Sequence, residues 1–333
     1  MDWSKGISAT FYAAEIDRNT WRPRERFEIK GGSIKRVNSG LMETADIACK
    51  NYDRGEIWVR IYMIAKQDQS SESIPLFTGL ASAPDDDIQG YRIENQVNCS
   101  SVLKPCEDVL LPIGWYVASG VKAETVLREL LSVTPAPVVI AEDSPVLMQN
   151  IVAESGESHL TMIENILQTI NWRLWIGGDG TIHIEPKAKE PSVRFSSLDN
   201  DSIEPVLKRS HDWYSCPNVF QAVADDESVI VKDDDPDSPL STVNRGREIW
   251  MQETSCTLSD GESLEAYTRR RLKEEQRVAV TVSYDRRFMP DVRVSDIVTL
   301  YYPAQKLNGN YMVTSQSIEI KYGARTSEEV VKV

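Results

Sequence analysis

Four polar side chains in the stretch ESGESHLTMIENIL (residues 154–167) have the chemistry that a metal site or an acid/base pair needs. Glu154, Glu157, His159 and Glu164 offer carboxylate oxygens and an imidazole within a short distance along the chain. Such groups could bind a divalent cation or transfer a proton during hydrolysis. This cluster is therefore the first candidate for an enzyme site.

The same stretch is also typical of a helix start. Ser155 or Ser158 can accept hydrogen bonds from the first free backbone N–H groups, and Glu157 complements the positive helix end. A metal site would need further ligands, but HExxH spacing is absent, and His183 and His211 fall in a predicted strand and loop. We predict a helix whose buried stripe contains Leu160, Ile163, Ile166, Leu167 and Ile170.

Other carboxylates also have ordinary structural interpretations. Asp179 and Glu185 could form a glycosidase pair, but Asp179 lies in Gly-Gly-Asp-Gly, where aspartate is favoured in a hairpin turn. The aspartate runs 85–87 and 233–235 resemble calcium-binding loops, yet they lack the alternate ligands and closing glutamate of an EF-hand. We interpret these groups as turn and loop residues.

The remaining motif candidates favour core packing over catalysis. HDWYSCPNVF (residues 211–220) predicts an aromatic corner that anchors a strand rather than a catalytic loop. GxSxG, P-loop and dinucleotide-binding motifs are absent. We predict no catalytic, cofactor-binding or metal-binding residues and no enzyme activity. The cysteines are few and contain no CxxC pair, so we expect small core residues rather than a disulfide framework: Cys49, Cys99, Cys106, Cys216 and Cys256.

Composition narrows the class of protein. The 333 residues are 41% hydrophobic, enough for two or three compact units. A net charge of −14, from 51 acidic and 37 basic residues, argues against a nucleic-acid-binding protein, because such binding depends on Lys and Arg neutralising phosphates. The sequence contains neither a signal-peptide core nor about 18 consecutive apolar residues, so we predict no membrane insertion and no export by the usual route.

The elements follow the order β, mixed, β. Alternating runs from Ile7 to Val102, separated by turn residues, predict antiparallel strands. SGVKAETVLRELLS then predicts a helix, and NWRLWIGGDGTIHIEP predicts a hairpin after the helix discussed above. Alternation resumes at about Asp199, interrupted by a charged helix, SLEAYTRRRLKEEQ, and by an acidic, exposed stretch, VKDDDPDSPLSTVNRG, that we expect to be mobile.

Several of these stretches together resemble phage baseplate hub proteins of the Gram-positive contractile-tail and defective-prophage type, also called late-control D-like hubs. The resemblance extends over nearly the whole chain, both in the order of the segments and in their residue patterns. The segments that carry it are ERFEIKGGSIKRVNSGLMETADIACKN, WVRIYMIA, IPLFTGLASAPDDD, IGWYVASGVKAETVLRELL, ESHLTMIENILQTINWRLWIGGDGTIHIEP and DVRVSDIVTLYYPAQKLNGNYMVTSQSIEIKYG.

The resemblance implies a mainly β fold with an α+β insertion: two tube-type β-barrels and a small helix-and-hairpin domain. The barrels would span residues 1–117 and 199–333, and the small domain 118–198. The resemblance further implies a homotrimer whose six barrels adapt the six-fold tail tube to a three-fold central spike. Spike and wall-cutting activity are then expected on other chains.

The implied partners are further copies of this chain, the tail tube or tube-initiator protein, the spike, surrounding baseplate proteins and a tape measure protein. DNA would only pass through the bore, and an acidic lumen suits that passage because a basic one would retain phosphates. The expected location is the tail baseplate of a virion or tailocin particle, assembled in the bacterial cytoplasm. No cofactor is expected.

Two other classes of function stay open from the sequence. One is a tail-associated cell-wall hydrolase or peptidase. The other is a carbohydrate-binding module in which exposed tryptophans such as Trp3 and Trp21 stack on sugars. Within the hub hypothesis, IWVRIYMIA and YMVTSQSIEI are candidates for strands that continue a sheet between subunits. An infectious phage, a tailocin and another contractile injection system fit the sequence equally.

Overall fold

The chain folds mainly into β-structure, as the alternating pattern predicts. The computed structural model describes residues 1–333 except 4, 51, 53, 83–84, 90–91, 188–189, 198–201, 225–226, 255, 257, 259–260 and 278. Side chains are not described at 50, 85–89, 92–94 and 205. The predicted aspartate run 85–87 forms strand backbone, and its side chains lie outside the described part.

The strands are β1 (Ser8–Ile16), β2 (Pro23–Val37), β3 (Glu43–Lys50), β4 (Ile57–Gln67), β5 (Ser70–Ala81), β6 (Asp85–Gln89), β7 (Arg92–Ser101), β8 (Tyr116–Val117), β9 (Val138–Ile140), β10 (Ile151–Val152), β11 (Trp172–Ile176), β12 (Ile182–Pro186), β13 (Pro191–Ser196), β14 (Ile203–His211), β15 (Val219–Ala224), β16 (Glu227–Lys232), β17 (Trp250–Glu253), β18 (Val280–Arg286), β19 (Ile297–Tyr302), β20 (Leu307–Glu319) and β21 (Thr326–Lys332). The α-helices are α1 (Lys104–Asp108), α2 (Ala123–Leu130), α3 (His159–Thr169), α4 (Thr242–Arg245) and α5 (Leu264–Arg277); 3₁₀ turns span Leu131–Val133 and Pro303–Gln305.

Six N-terminal strands close into a ring of antiparallel pairs, in the order β1, β4, β5, β7, β3, β2 and back to β1. Side chains alternate along each strand, so every second one points inward and packs with apolar neighbours. Val59, Ile61 and Met63 of β4 are fully buried in this way. We call this group of strands the β ring.

Six C-terminal strands continue the same sheet in the order β14, β18, β21, β20, β19, β13, with β13 and β19 parallel. We call these six strands the open sheet. It joins the β ring through β2, whose first half pairs with β1 and whose end pairs with β20. The strand diverges after Gly31-Gly32: Gly32 has φ +141°, and a Cβ there would lie 1.9 Å from the Asp46 carbonyl oxygen.

The predicted helix and hairpin lie between the two β units. Residues 104–186, the middle segment, contain α1–α3, the hairpin β11–β12 with β9 parallel to β12, and the short pair β8–β10. Their apolar side chains share one core, in which Leu127, Ile163 and Ile166 are buried. The helix and hairpin predictions of the sequence are confirmed here.

A further unit is inserted between β14 and β18. Strands β16, β15 and β17 form a small sheet, with β15 and β17 parallel, and α5 packs on it. Phe220, Tyr267 and Leu272 form part of its separate core. We call residues 219–277 the inserted unit; the alternating sequence pattern did not distinguish it from the open sheet.

Two predicted barrels and the boundaries at 117 and 198 stay predictions. The pairings close one ring and leave the second six strands open within the described residues. The expectation that IWVRIYMIA and YMVTSQSIEI supply free edges is wrong. Strand β4 is paired on both sides by β1 and β5, while β20 is covered by β21 on one side and by β19 and β2 on the other. Their backbone groups are already used within the chain.

Candidate assembly site at the junction of the β units

The polar cluster of Glu154, Glu157, His159 and Glu164 lies at the start of helix α3. Ser158 is the N-cap, and its Oγ accepts a hydrogen bond from the Thr161 backbone N–H at 3.2 Å. Glu157 accepts from the Glu154 backbone N–H at 2.9 Å and from the Asn165 side chain at 2.8 Å. The predicted helix start is thereby confirmed, with Ser158 rather than Ser155 as the cap.

The other two members of that cluster face different neighbours. His159 Nδ1 lies 2.9 Å from the Leu130 carbonyl oxygen, and Glu164 accepts from the Gly40 backbone N–H. Glu157, His159 and Glu164 therefore each bond a backbone or side-chain partner, and the structure does not bring the four residues together around one point. No group of three or more His, Cys, Asp or Glu residues suited to a metal ion occurs among the described residues.

The hairpin tip is docked against the β ring. Asp179 accepts from the Thr181 backbone N–H at 3.1 Å and from its hydroxyl at 2.9 Å, which confirms the predicted turn. The Asp179 carbonyl oxygen accepts from Trp21 Nε1 at 2.9 Å and from the Arg60 guanidinium at 2.6 Å. Thr78 Oγ1 donates to the Gly178 carbonyl at 2.8 Å. The turn thus binds the ring through its own backbone.

Glycine is required at this contact because the two backbones nearly touch. A Cβ at Gly178 would lie 1.9 Å from the Pro75 carbonyl oxygen, and one at Gly180 would lie 2.8 Å from Thr78 Cβ. Gly180 also has φ +81°, which disfavours other residues. The Gly-Gly-Asp-Gly sequence therefore serves both the turn and the close approach.

The opposite side of the hairpin is bound to the open sheet. Arg173 of β11 donates to Asp296 Oδ1 at 2.8 Å, to the Ser295 carbonyl at 3.0 Å and to Glu185 Oε1 at 2.7 Å. Burial alone lowers the pKa of Arg173, but the bonds to Asp296 and Glu185 raise it above its ordinary value. Glu185 also accepts from Trp175 Nε1 at 3.0 Å, so it is a structural partner here.

An aromatic sandwich adds to this contact. The Trp175 ring stacks on His183 with centroids 3.8 Å apart, and the Arg293 guanidinium lies 4.0 Å from the Trp175 centroid. Burial lowers the pKa of His183, which favours its neutral form, and burial also lowers the pKa of Arg293. One hairpin therefore holds the β ring with its tip and the open sheet with its strand face.

A cavity of about 320 Å³ lies where these three parts meet. Its wall includes Arg36 and Glu43 of the ring, Trp175 of the hairpin and Arg293 of the loop before β19. Arg36 donates to Glu43 Oε1 at 2.8 Å and to the Leu76 carbonyl, whereas Glu43 Oε2 has no hydrogen-bond partner among the described residues. Burial raises the pKa of Glu43 to about 7, and Arg36 partly opposes the rise. The junction thus contains a buried carboxyl group, that of Glu43, with only one of its two oxygens hydrogen-bonded among the described residues.

The stretch predicted to form an aromatic corner is bound to the inserted unit mainly by polar contacts, since Trp213 and Tyr214 are 40% and 81% exposed. Asn218 is fully buried; its amide donates to the Leu240 and Arg247 carbonyls at 3.2 and 3.0 Å and accepts from the Ile249 N–H at 2.8 Å. Arg245 donates to the Cys216 carbonyl at 2.7 Å, and Arg247 lies over the Tyr214 ring. These contacts tie residues 211–220 to the loop before β17. The stretch therefore anchors a strand as predicted, but through Asn218 and Arg245 rather than through its aromatic residues.

The acidic loop is bonded internally. Asp233 Oδ2 accepts from the Ser238 hydroxyl at 2.7 Å and from Gln276 of α5 at 2.9 Å, and Asp235 accepts from the Asp237 N–H at 2.9 Å. The run 233–235 therefore builds turns. Our expectation of mobility in this stretch stays a prediction.

The cysteines and tryptophans singled out from the sequence have packing roles. All five cysteines are buried and free, as predicted for core residues, and burial raises the pKa of Cys49 to about 11. Trp3 packs edge-on against Phe288 with centroids 5.7 Å apart, while Trp21 contacts Trp58 and bonds Asp179. Both tryptophans are thus engaged within the chain. Among the described residues, no helix has the length and apolar character of a membrane span.

Sequence reasoning missed the residues that make this junction. Arg60, Arg173 and Arg293 lie in alternating strands or a loop, without any motif. Alternation could have placed Arg173 and Trp175 on one face of the hairpin, opposite the buried Trp172 and Leu174. The partners of that face are more than a hundred positions away in sequence, which a local pattern does not reveal.

Comparison with known proteins connects this architecture to phage tails. No protein-family model and no curated protein sequence matches the chain. Two solved structures match it end to end. A tail protein from Neisseria meningitidis MC58 has a TM-score of 0.71 at 14% identity, covering 98% of this chain and 97% of that one. The 43 kDa tail protein of prophage MuSo2 from Shewanella oneidensis has a TM-score of 0.69 at 12% identity, covering 98% of both.

A third structure extends the comparison to secretion machinery. The Escherichia coli protein c3393 is described as a component of the type VI secretion system with structural similarity to the T4 bacteriophage tail proteins gp27 and gp5. It matches with a TM-score of 0.55 at 6% identity, covering 92% of this chain and 74% of that one. The chain has the fold of phage tail proteins. At the level of fold, this confirms the resemblance drawn from the sequence.

Proposed function

We propose that the chain is a structural baseplate hub, of the late-control D-like kind, in a contractile phage tail or tailocin-like particle. Three copies would form a ring that adapts the six-fold tail tube to a three-fold central spike. The observation that carries the proposal is the match of the whole chain to whole tail proteins, with 98% of this chain and 97% of the Neisseria protein covered. The similarity to a protein described as resembling gp27 and gp5 supports the same role.

The arrangement of strands supports a ring built from repeated β units. Within one chain, the β ring and the open sheet are already joined side by side through β2 and β20. Strands β14 and β13 end the open sheet and are paired on one side only among the described residues. An unpaired strand edge can be completed by another chain, and three-fold repetition of such a heterologous contact closes a ring. Residues 1–117 and 199–333 are proposed as the two tube-type barrel domains, and 118–198 as the small domain between them.

The proposed partners are the tail tube or tube-initiator protein, the spike, surrounding baseplate proteins and a tape measure protein. DNA would pass through the bore without binding. The net charge of −14 supports such a conduit, since a carboxylate-rich wall does not retain phosphate groups. The proposed location is the virion or tailocin baseplate, after assembly in the bacterial cytoplasm.

The role is proposed to be non-enzymatic. Among the catalytic candidates, Glu157, His159, Glu164, Asp179 and Glu185 bond neighbouring backbone or side-chain groups in the structure. A murein zymogram with the purified chain tests this point. A cleared band would overturn the structural proposal in favour of a cell-wall hydrolase.

The mass in solution tests the trimer. Light scattering at several protein concentrations should give three times the chain mass of 37.6 kDa, and negative-stain images should show rings with a central opening. Val206→Lys, on the outer strand β14, should shift the mass toward the monomer, because Val206 is 76% exposed on the chain alone and a buried lysine would be costly at the interface. Val139→Lys, a half-exposed control on β9, should leave the trimer intact. Monomers at every concentration, both alone and with a purified spike protein, would contradict the proposal.

A further inference from the structure

An irregular two-stranded ribbon in the middle segment exposes an apolar face. Residues 110–122 run antiparallel to residues 146–158. Bridges link Leu110 to Ser158 and Lys122 to Val146, and the pair β8–β10 lies between them. Between these pairs, the Leu111 N–H donates to the Glu157 carbonyl at 2.8 Å, and the Ala153 N–H donates to the Trp115 carbonyl at 3.1 Å. One register therefore holds from end to end.

The two faces of this ribbon differ in burial, and the exposed face carries large apolar side chains beside the exposed polar residues Lys122, Asn150 and Glu154. Leu111, Val117 and Ile151 are 6–8% exposed and belong to the core of the middle segment. Their neighbours on the other face are exposed: Leu110 57%, Met148 49%, Val152 64% and Tyr116 66%, with Ile113 at 97% in the turn between. Tyr116 and Val152 are direct cross-strand partners. We call these five residues the ribbon face.

Such a face is unusual for a ribbon in contact with water. An antiparallel pair with one solvated face ordinarily carries polar side chains there. Several large apolar side chains exposed along one face are instead typical of surfaces that another protein covers. Large apolar and aromatic side chains such as Tyr116 are also the ones that contribute most to binding energy at protein interfaces.

The charges around the ribbon face narrow the chemistry of its partner. Residues 104–122 and 141–158 contain two lysines, Lys104 and the exposed Lys122, against six carboxylates: Glu107, Asp108, Glu142, Asp143, Glu154 and Glu157. Lys104 is 2.7 Å from both Glu107 and Asp108, which leaves an acidic excess. Two copies meeting through this face would oppose like charges, whereas a basic partner would be attracted.

We propose that the ribbon face is the docking surface for a segment of a different tail subunit that carries apolar side chains flanked by Lys or Arg. This inference rests on the proposed function, because the partner is sought within the tail particle. It is independent of ring closure, since β13 and β14 belong to the open sheet and the ribbon belongs to the middle segment.

Photocrosslinking in intact particles tests the partner. A photoreactive phenylalanine derivative replaces Tyr116 in cells that produce the particle, and cross-linked peptides are identified by mass spectrometry. A peptide from another tail subunit, with apolar residues beside Lys or Arg, is expected. A cross-link to the same face of a second copy, to an acidic segment or to no protein in complete particles would overturn the docking proposal. Absence of this chain from purified tails would instead overturn the proposed function.

A substitution tests how much the ribbon face contributes to binding of its partner. Tyr116→Glu should lower incorporation of the chain into particles by about tenfold or more, because loss of a central aromatic anchor typically costs more than 1.4 kcal/mol. Tyr322→Glu is the control, since Tyr322 is 79% exposed and lies after β20, away from the ribbon. Equal incorporation of the two variants, at equal thermal stability of the isolated chains, would contradict the proposal.

Discussion

Arg173 of the hairpin donates to Asp296, the residue before β19, across 2.8 Å, and the two side chains are only 14% and 12% exposed. This pair joins the middle segment to the open sheet, while the carbonyl of Asp179 at the hairpin tip joins it to the β ring. The position of the two β units relative to each other therefore depends on one hairpin as well as on the pairing of β2 with β20.

Arg173→Met should destabilise the chain by about 2–4 kcal/mol, because removing one member of a buried pair takes the bonding guanidinium from the carboxylates of Asp296 and Glu185. Urea-induced unfolding measures this loss. Arg269→Met is the matched control: Arg269 pairs with Glu265 on the surface of α5, where the side chains are 58% and 65% exposed. That variant should change stability by less than about 0.5 kcal/mol. Equal losses in the free energy of unfolding would show that the buried Arg173 pair stabilises the chain no more than the exposed Arg269 pair does.

Gly178→Ala should separate the hairpin tip from the β ring, because the new methyl group would lie 1.9 Å from the Pro75 carbonyl oxygen. Crowding of this kind costs about 1–3 kcal/mol. Unfolding measurements should show that loss, and hydrogen exchange should become faster at the β5 amides near Pro75. Gly55→Ala is the control, since a Cβ at Gly55 would meet no atom of the described part of the chain within 4 Å. An unchanged exchange rate in Gly178→Ala would contradict the docking geometry.

The sequence predicted this hairpin correctly but not its contacts. The two strands could be predicted from the sequence because their signals are local: alternation in Trp172–Ile176 and Ile182–Pro186, and a glycine-rich turn between them. The approach of Gly178 to Pro75 depends on residues a hundred positions apart. For the same reason, β4 and β20 were misjudged as free edges, because the strands that cover them come from distant parts of the chain. The parallel pair β13–β19 and the inserted unit escaped prediction because strand alternation does not specify which sheet a strand joins.

Stability should depend on pH through Glu43. Burial raises its pKa to about 7 from an ordinary value of 4.5, so between these values the folded chain holds a proton that the unfolded chain has released. The contribution to stability is full below about pH 4.5 and is lost as the pH rises through about 7. Each pKa unit corresponds to about 1.4 kcal/mol, which gives a decline of about 3 kcal/mol.

Glu43→Gln should remove this part of the pH dependence, since an amide does not titrate. The free energy of unfolding is measured by urea titration across that pH range for both proteins. The exposed Glu72→Gln on β5 serves as the control and should retain the decline. The assignment to Glu43 would be wrong if Glu43→Gln and the unmodified chain lost stability in parallel.

Ser158→Ala should destabilise helix α3 by about 1 kcal/mol, because its hydroxyl oxygen accepts the bond from the Thr161 N–H that otherwise lacks a helical partner. Ser155→Ala is the control, since Ser155 was the other capping candidate and is exposed before the helix; its loss should stay below about 0.5 kcal/mol. Unfolding measurements compare the two, and hydrogen exchange at the Thr161 amide locates the effect. A larger loss in Ser155→Ala would move the helix start and reopen the question of what Glu157 and His159 do. A loss confined to Ser158→Ala would show that this polar cluster stabilises a helix end against the core of the middle segment.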